Sequence, residues 1–122
     1  MIKCEIKFKL PSLNEYIDAC RRNKYQGAKF KRETEDTIYP WIRWMKPFEN
    51  PVKIYFEWHE KEYRRDPDNV AAGGRKFILD CLVKSGILKY DSRRYIVGWQ
   101  DSFFYGSEQK VVLYFVEVKK DE

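Results

Sequence analysis

The sequence predicts an α+β fold, a single small domain with a mixed β-sheet packed against helices. The first observation is length, because 122 residues correspond to about one ordinary domain, expected to span residues 1–122. The second is that apolar and polar residues alternate in several segments, as in half-buried strands, while other segments show helical spacing. The resulting order is strand, helices, strand, helix, strand and strand, which favours one layer of helices on a mixed sheet.

The first predicted element is a strand in the opening ten residues, where apolar and charged side chains alternate until Pro11 ends the pattern. Ser12 stands three residues before Glu15, and this capping-box spacing predicts a helix that begins directly after Ser12. A second apolar stripe of helical spacing covers residues 38–45. It contains Pro40, so we expect that helix either to kink or to begin at the proline.

The second half of the chain predicts a strand, a long helix and two more strands. Alternation over residues 52–59 indicates a strand with one buried face. The helix that follows the charged segment 60–69 should run to about Ser85, with Gly86 at its C-cap. Its buried face is predicted to contain Phe77, Ile78, Cys81 and Leu82. The last two strands and the turn between them are predicted at residues 94–100, 110–119 and 105–107.

Composition excludes several classes of protein. Charged residues make up 35% of the chain, with only six glycines and five prolines, which excludes a disordered or collagen-like chain. Apolar runs are too short for a transmembrane span, and the charged alternation at the start is not typical of a signal peptide. Three widely spaced cysteines fit neither a disulfide framework nor a zinc site, so a reducing, cytoplasmic setting is expected. No P-loop is present, so we expect no nucleotide cofactor.

A basic segment is the first candidate for a binding surface. Residues 19–32 carry six basic side chains and no acid, with Tyr25 and Phe30 between them, and the whole chain has a net charge of +5. Such a segment can contact phosphates and stack on exposed bases, although a run of charge is as often a solvated face. Gly27 interrupts it, so a loop or a helix–turn–helix is expected there. The candidate DNA-binding residues are Arg21, Arg22, Lys24, Lys29, Lys31 and Arg32.

Two acids form the first candidate for chemistry. Asp66 and Asp68 flank Pro67, which forces the residue before it into an extended conformation, so both carboxylates should project to one side. Two adjacent carboxylates repel unless a cation lies between them, and oxygen ligands suit Mg²⁺ or Mn²⁺. The other interpretation is a turn and a helix cap, in which Asp68 or Asn69 caps the helix and Asp66 pairs with a neighbouring arginine.

A third acid, Asp91, follows the far end of the same helix. That helix is roughly 25 Å long, so Asp91 can join the acid pair only if the chain doubles back or if a second subunit supplies it. Gly73 and Gly74 lie near the start of the helix, where glycine is unfavourable. Such a pair can be tolerated where the backbone approaches something closely, for example a phosphate strand, or it can mean that the helix begins later.

Four segments together match a known pattern. They are RRDPDNV at residues 64–70, KFILDCL at 76–82, GILKYD at 86–91 and the opening LPSLN at 10–14. The sequence is similar to the RusA-type Holliday junction resolvases, which are small, magnesium-dependent, homodimeric endonucleases of bacteria and prophages. The resemblance implies a structure-specific endodeoxyribonuclease of the cytoplasm that resolves four-way DNA junctions by paired nicks.

The resemblance also implies roles for individual residues. Asp66, Asp68 and Asp91 would hold the Mg²⁺ or Mn²⁺ ion and carry the catalysis, and Lys76 would be the catalytic lysine. Lys76 is matched to the family's lysine by its distance from Asp80, the acid four residues later in the sequence. A match counted from Asp68 would place Ala72 at that position instead.

Two other functions stay open from the residues alone. One is a non-catalytic protein that binds structured DNA and uses the acids as caps and ion pairs. The other is a nuclease of the same fold that acts on flaps or replication forks.

Aromatic content adds a prediction about assembly. The large rings exceed what a monomer of this size readily buries, which favours a homodimer. We expect part of the dimer contact at residues 103–105, and the alternative is that this run covers the core of its own sheet. The aromatic residues concerned are Trp41, Trp44, Trp58, Trp99, Phe103, Phe104 and Tyr105.

Overall fold

A mixed four-stranded sheet with helices packed on it confirms the predicted α+β class. The structure is a computed structural model and describes residues 1–119. Within this range the elements are β1 (Ile2–Ile6), α1 (Leu13–Arg22), α2 (Lys24–Ile42), β2 (Val52–Glu60), α3 (Pro67–Lys84), β3 (Ile96–Tyr105) and β4 (Lys110–Glu117).

The sheet has the strand order β1-β4-β2-β3. β4 pairs antiparallel with both β1 and β2, whereas β2 and β3 are parallel and are connected through α3. A parallel connection needs such a crossover, because the chain must return to the same end of the sheet before the next strand begins. The start of β3 therefore lies beside the start of β2, and both strands end at the opposite end of the sheet.

The core lies between one face of the sheet and the helices. Alternate residues of β2 are buried, from Val52 to Trp58, as the sequence predicts. The predicted apolar face of α3 is also confirmed, since Phe77, Ile78, Cys81 and Leu82 are buried in the same cluster. Gly86 has a φ of 77° directly after this helix, the left-handed conformation for which a C-cap glycine is suited.

The basic segment forms a helix–turn–helix, but its break does not lie at Gly27. α1 ends at Arg22 and Asn23 caps α2, where its side-chain oxygen accepts a hydrogen bond from the Gln26 N–H at 2.8 Å. Gly27 lies inside α2 against α1, and a Cβ there would be 2.7 Å from the Cys20 Sγ. The glycine therefore permits close helix packing, and the capping side chain of Asn23 marks the break.

Two further boundaries differ from the prediction. α2 runs through Pro40 to Ile42, so of the two alternatives expected there, a helix that begins at the proline is wrong. β3 continues to Tyr105, because its parallel register with β2 extends as far as the Glu60–Tyr105 pair. Residues 103–105 are thus part of a strand, and the turn to β4 follows at residues 106–109.

The cysteines are unpaired in the structure. Cys4 and Cys81 are buried and Cys20 is exposed. Burial raises the pKa of the Cys4 and Cys81 thiols to about 11, so both stay protonated near neutral pH. None of the helices in residues 1–119 combines the length and the apolar character needed to cross a membrane.

Candidate metal and nucleic-acid site

Two glycines let the first half of α3 pack closely, Gly73 against the turn that precedes α1 and Gly74 against β2. A Cβ on Gly73 would lie 2.4 Å from the Leu13 backbone nitrogen, and a Cβ on Gly74 would lie 2.5 Å from a ring carbon of Trp58. Side chains other than hydrogen do not fit at these distances. The predicted close approach is confirmed, but the backbone approaches another part of its own chain, and the helix begins at Pro67, not later.

This packing brings together the segments 10–14 and 64–70. Arg65 connects them, because its Nη2 donates to the Leu10 carbonyl oxygen at 2.8 Å and its Nη1 donates to the Glu60 carboxylate at 2.9 Å. A cavity of about 150 Å³ lies where the two segments meet. Its lining consists of Ser12, Asn14, Glu15, Arg65, Asp66, Asn69 and Val70.

Asp66 is the N-cap of α3. One of its carboxylate oxygens accepts a hydrogen bond from the Asp68 N–H at 3.0 Å, and the other accepts one from the Asn69 Nδ2 at 2.9 Å. A helix cap is therefore present, but the prediction that Asp68 or Asn69 forms it is wrong, and Arg65 binds Glu60 instead of Asp66. Each carboxylate oxygen has a second lone pair, so a capping carboxylate can still bind a cation.

Asp68 lies in the first turn of α3, where its side chain is exposed. The extended conformation includes Asp66, with φ −64° and ψ 119°, and ends at Pro67, which is the first helical residue. The extended backbone that was expected to point both carboxylates to one side therefore ends before Asp68. The pair is held on a helix N-terminus, and this position favours negative charge.

Asp91 lies in the connection between α3 and β3, at the other end of the helix. Because β3 is parallel to β2, the loop with Asp91 leads to the strand end that lies beside Val52, while Asp66 follows the opposite end of β2. The nine residues of β2 span roughly 30 Å. The chain does not double back, and residues 1–119 contain no cluster of three potential metal-binding side chains. Asp91 and Asp66 are thus not brought together within one subunit, and of the two alternatives the one that fits this topology is a second subunit that supplies Asp91.

Lys76 does not contact the acid pair. Its Nζ lies 3.7 Å from the Asp80 carboxylate, one helical turn onward, and 6.0 Å from the centre of the Tyr16 ring. Two helical turns, about 12 Å along the axis, separate Lys76 from Asp68. Ala72 lies one turn nearer on the same stripe and carries no charge. The cation that lines the cavity is instead Arg65, which the sequence indicated only as a possible ion-pair partner of Asp66.

The basic segment divides into free and paired side chains. Arg21 and Arg22 at the end of α1 and Lys24 at the start of α2 are exposed at one corner of the molecule. Lys31 differs, because its Nζ lies 3.0 Å from the Asp80 carboxylate. This interaction raises the pKa of the Lys31 ammonium above its ordinary value. Of the remaining candidates, Arg32 is exposed and Lys29 is exposed with Glu33 at 3.9 Å.

The arrangement has the chemistry of a site for a hard cation. Carboxylate, amide and hydroxyl oxygens line the cavity, from Asp66, Glu15, Asn14, Asn69 and Ser12, and no thiol or imidazole is among the lining residues. Oxygen donors of this kind suit Mg²⁺ and Mn²⁺. Two features could have indicated the site from sequence: the capping box that places Glu15, and the similarity of the LPSLN segment to the family opening.

We predict that Gly73→Ala lowers the free energy of unfolding by about 1–3 kcal/mol, because the added methyl group collides with the backbone of the turn that precedes α1. An alanine in an exposed helix would normally raise stability, so the sign of the change is informative. Gly98→Ala in β3 is the control, since a Cβ there meets nothing within 4 Å. Denaturant unfolding of both variants measures the effect, and a Gly73→Ala protein as stable as the wild type would contradict the close approach.

Comparison of the chain with protein-family models and with curated protein sequences gives no match. Membership of the resolvase family therefore stays a prediction that rests on the four segments and on their arrangement in the fold.

Proposed function

We propose that the protein is a metal-dependent, structure-specific endodeoxyribonuclease that resolves four-way DNA junctions by paired nicks. The observation that carries the proposal is the contact between segments 10–14 and 64–70. Each resembles part of the RusA-type pattern, they are far apart in sequence, and together they line one cavity rich in oxygen donors. If the two segments matched the pattern by accident, there would be no reason for them to lie next to each other in the fold.

Asp66 and Asp68 would hold Mg²⁺ or Mn²⁺ together with the partner's Asp91. When bound, the ion would lower the pKa of a water molecule and polarise the scissile phosphate. Asn69 and the Asp68 N–H fix the orientation of the Asp66 carboxylate. Because these donors already hold the side chain in place, little rotational freedom would be lost when it binds a cation.

Two cations have proposed roles beside the acids. Arg65 lines the cavity, where Glu60 and the Leu10 carbonyl oxygen hold its guanidinium, so its proposed role is to keep the segment with Asp66 in position. Lys76, the lysine implied by the resemblance, is about 12 Å along α3 from Asp68. This spacing suits contact with a phosphate further along the strand than the one next to the scissile phosphate, once the Asp80 carboxylate releases the ammonium.

DNA would extend from the cavity along α1 to the basic corner. α1 begins beside the cavity at Leu13 and ends at Arg22, a distance of roughly 15 Å. Arg21, Arg22 and Lys24 are exposed at that end and can neutralise backbone phosphates. A homodimer would present two such surfaces related by a two-fold axis, which matches two strands of a junction. The free cysteines agree with the cytoplasm as the proposed compartment.

A structured-DNA-binding protein without catalysis is the second candidate. The observation that favours it is the Asp66 carboxylate, both of whose oxygens already accept hydrogen bonds as a helix cap. Such a protein would bind junctions equally well with chelator and would cleave none. A nuclease of the same fold that acts on flaps or forks would cleave those substrates faster than a junction in the same assay.

We predict that a labelled four-way junction is nicked with Mg²⁺ and stays intact with chelator. Asp66→Asn, Asp68→Asn and Asp91→Asn should each abolish cleavage and leave junction binding unchanged or tighter, because loss of a negative charge eases the approach of phosphates. Asp18→Asn, an exposed acid on α1, is the matched control and should cleave normally. Near-normal cleavage by one of the three variants would show that its carboxylate is not a metal ligand.

We further predict that replacing Arg21, Arg22 and Lys24 with alanine weakens binding to all DNA. The dependence of log K on log salt should become shallower by up to about one unit for each lost phosphate contact. The control replaces three exposed cations elsewhere and so keeps the net charge equal: Arg43, Lys46 and Lys89. An equal salt dependence in both triple variants would show that Arg21, Arg22 and Lys24 are solvated surface residues that do not contact DNA.

A further inference from the structure

A cavity of about 290 Å³, which we call the loop cavity, lies at the end of the sheet where β2 and β3 begin. It is formed between the loop before β2 and the connection from α3 to β3. Backbone hydrogen bonds join the walls. The Phe48 N–H donates to the Ile87 carbonyl oxygen at 3.0 Å, and the Val52 N–H donates to the Tyr95 carbonyl oxygen at 2.9 Å. The two connections are therefore held in place around the loop cavity.

Two aromatic rings line the loop cavity, and each is supported by another ring. Phe48 packs on Phe115 at 5.2 Å between ring centres, and Tyr95 packs on Tyr90 at 5.7 Å. Both Phe48 and Tyr95 are half-buried, so part of each ring is anchored in the fold and part is accessible. An anchored and accessible ring can stack on a planar ligand, and a nucleic-acid base is such a ligand.

The polar side chains of the loop cavity favour a ligand with negative charge. Arg94 is exposed, and its guanidinium lies 5.9 Å from the centre of the Tyr95 ring, so the ring helps to place the charge. Glu49 and Lys89 also line the cavity and offset each other in charge, which leaves Arg94 as the net positive charge. Asn50 adds a neutral amide that can both donate and accept hydrogen bonds.

We propose that the loop cavity binds one unpaired nucleotide of a nucleic-acid strand, with its base at Tyr95 and Phe48 and its phosphate at Arg94. A nucleotide combines the two groups that the cavity can bind, a planar ring and an anion. The base must be unpaired, because a base inside a duplex is covered by its neighbours and cannot reach a ring within a cavity. The volume agrees, since pockets for small ligands begin at about 300 Å³, which suits one nucleotide better than a base pair.

The position of the loop cavity gives the unpaired nucleotide a role in the proposed reaction. Asp91 lies in the same connection, three residues before Arg94. Since Asp91 would help to hold the ion, a nucleotide in the cavity would lie near the phosphate that is cut. Opening a base pair costs least where stacking is already interrupted, as at a branch point, so the cavity would favour cleavage there over cleavage within an arm. The choice of a junction strand rests on the proposed function; the binding chemistry of the cavity does not.

Photo-cross-linking tests the site without cleavage. 5-Iodouracil, which on irradiation forms a covalent bond with an aromatic side chain stacked on it, replaces thymine at the branch point of a four-way junction, and chelator keeps the DNA intact. We expect the cross-link on Tyr95 or Phe48, identified by mass spectrometry of the attached peptide. The control has 5-iodouracil in the middle of an arm and should give no cross-link to these rings. A cross-link only to other rings, such as Trp99 or Phe104, or none at all, would overturn the proposal.

The affinity of matched variants gives a second readout. Tyr95→Ala should bind the junction about tenfold more weakly than the wild type, because one base stack is lost, whereas Tyr95→Phe keeps the ring and should bind normally. Neither variant should change binding to an unbranched duplex. Arg94→Ala, an exposed position where folding is not at risk, should also weaken junction binding, and Arg43→Ala is its control. Equal affinity of Arg94→Ala and Arg43→Ala for the junction, or an equal loss of junction and duplex binding in Tyr95→Ala, would contradict the site.

The two readouts separate this proposal from the nuclease itself. A cross-link to Tyr95 and the expected losses of affinity in a protein that cleaves no junction would contradict the nuclease alone. Junction cleavage by a protein that gives no such cross-link and keeps full affinity after Tyr95→Ala would contradict the nucleotide site alone.

Discussion

The close approach of α3 to the turn before α1 is the constraint on which the candidate site depends. It is possible because Gly73 has no side chain: a Cβ there would lie 2.4 Å from the Leu13 backbone nitrogen, and Gly74 in the same way lets α3 pack against Trp58 of β2. The same contact holds the N-terminus of α3 beside the opening segment, where Arg65 then joins the two. Without it the oxygen donors would have no common cavity, whatever their identity.

A second constraint follows from the β2–α3–β3 crossover. A parallel pair of strands returns the chain to the starting end of the sheet, so acids before and after α3 are necessarily at opposite ends. One subunit cannot unite Asp66 with Asp91. In the proposed homodimer, a second subunit would supply Asp91 instead.

Elements with a buried face could be predicted from sequence with their approximate ends, whereas β3, which is mostly exposed, was predicted as a strand but with the wrong end. β2 and the second half of α3 bury alternate or helically spaced residues, so their pattern in the sequence reflects the core. β3 has rings on both faces and most of its residues exposed, so no period of two could define its end. The helix break was misplaced because Gly27 is a packing residue, while Asn23 is the cap.

The candidate site could be predicted only in part, because a sequence pattern shows local contacts but not the tertiary contacts that complete the site. The Asp-Pro-Asp-Asn run shows its cap chemistry locally, and the glycine pair indicates a close approach, but neither identifies what is approached. The meeting of Arg65 with Leu10 and Glu60 is a tertiary contact over long sequence separations. The pairing of Lys31 with Asp80, which removes one cation from the basic segment, is likewise set by helix packing.

The central claim is that each site combines Asp66 of one subunit with the partner's Asp91, and mixing two inactive variants tests it most directly. Asp66→Asn and Asp91→Asn proteins, each unable to cleave a four-way junction, are unfolded together, refolded and assayed with Mg²⁺. Half of the resulting dimers would be mixed and each would have one intact site, so about a quarter of the wild-type sites should return as single nicks. No recovery in a mixture that demonstrably contains heterodimers would contradict the shared site.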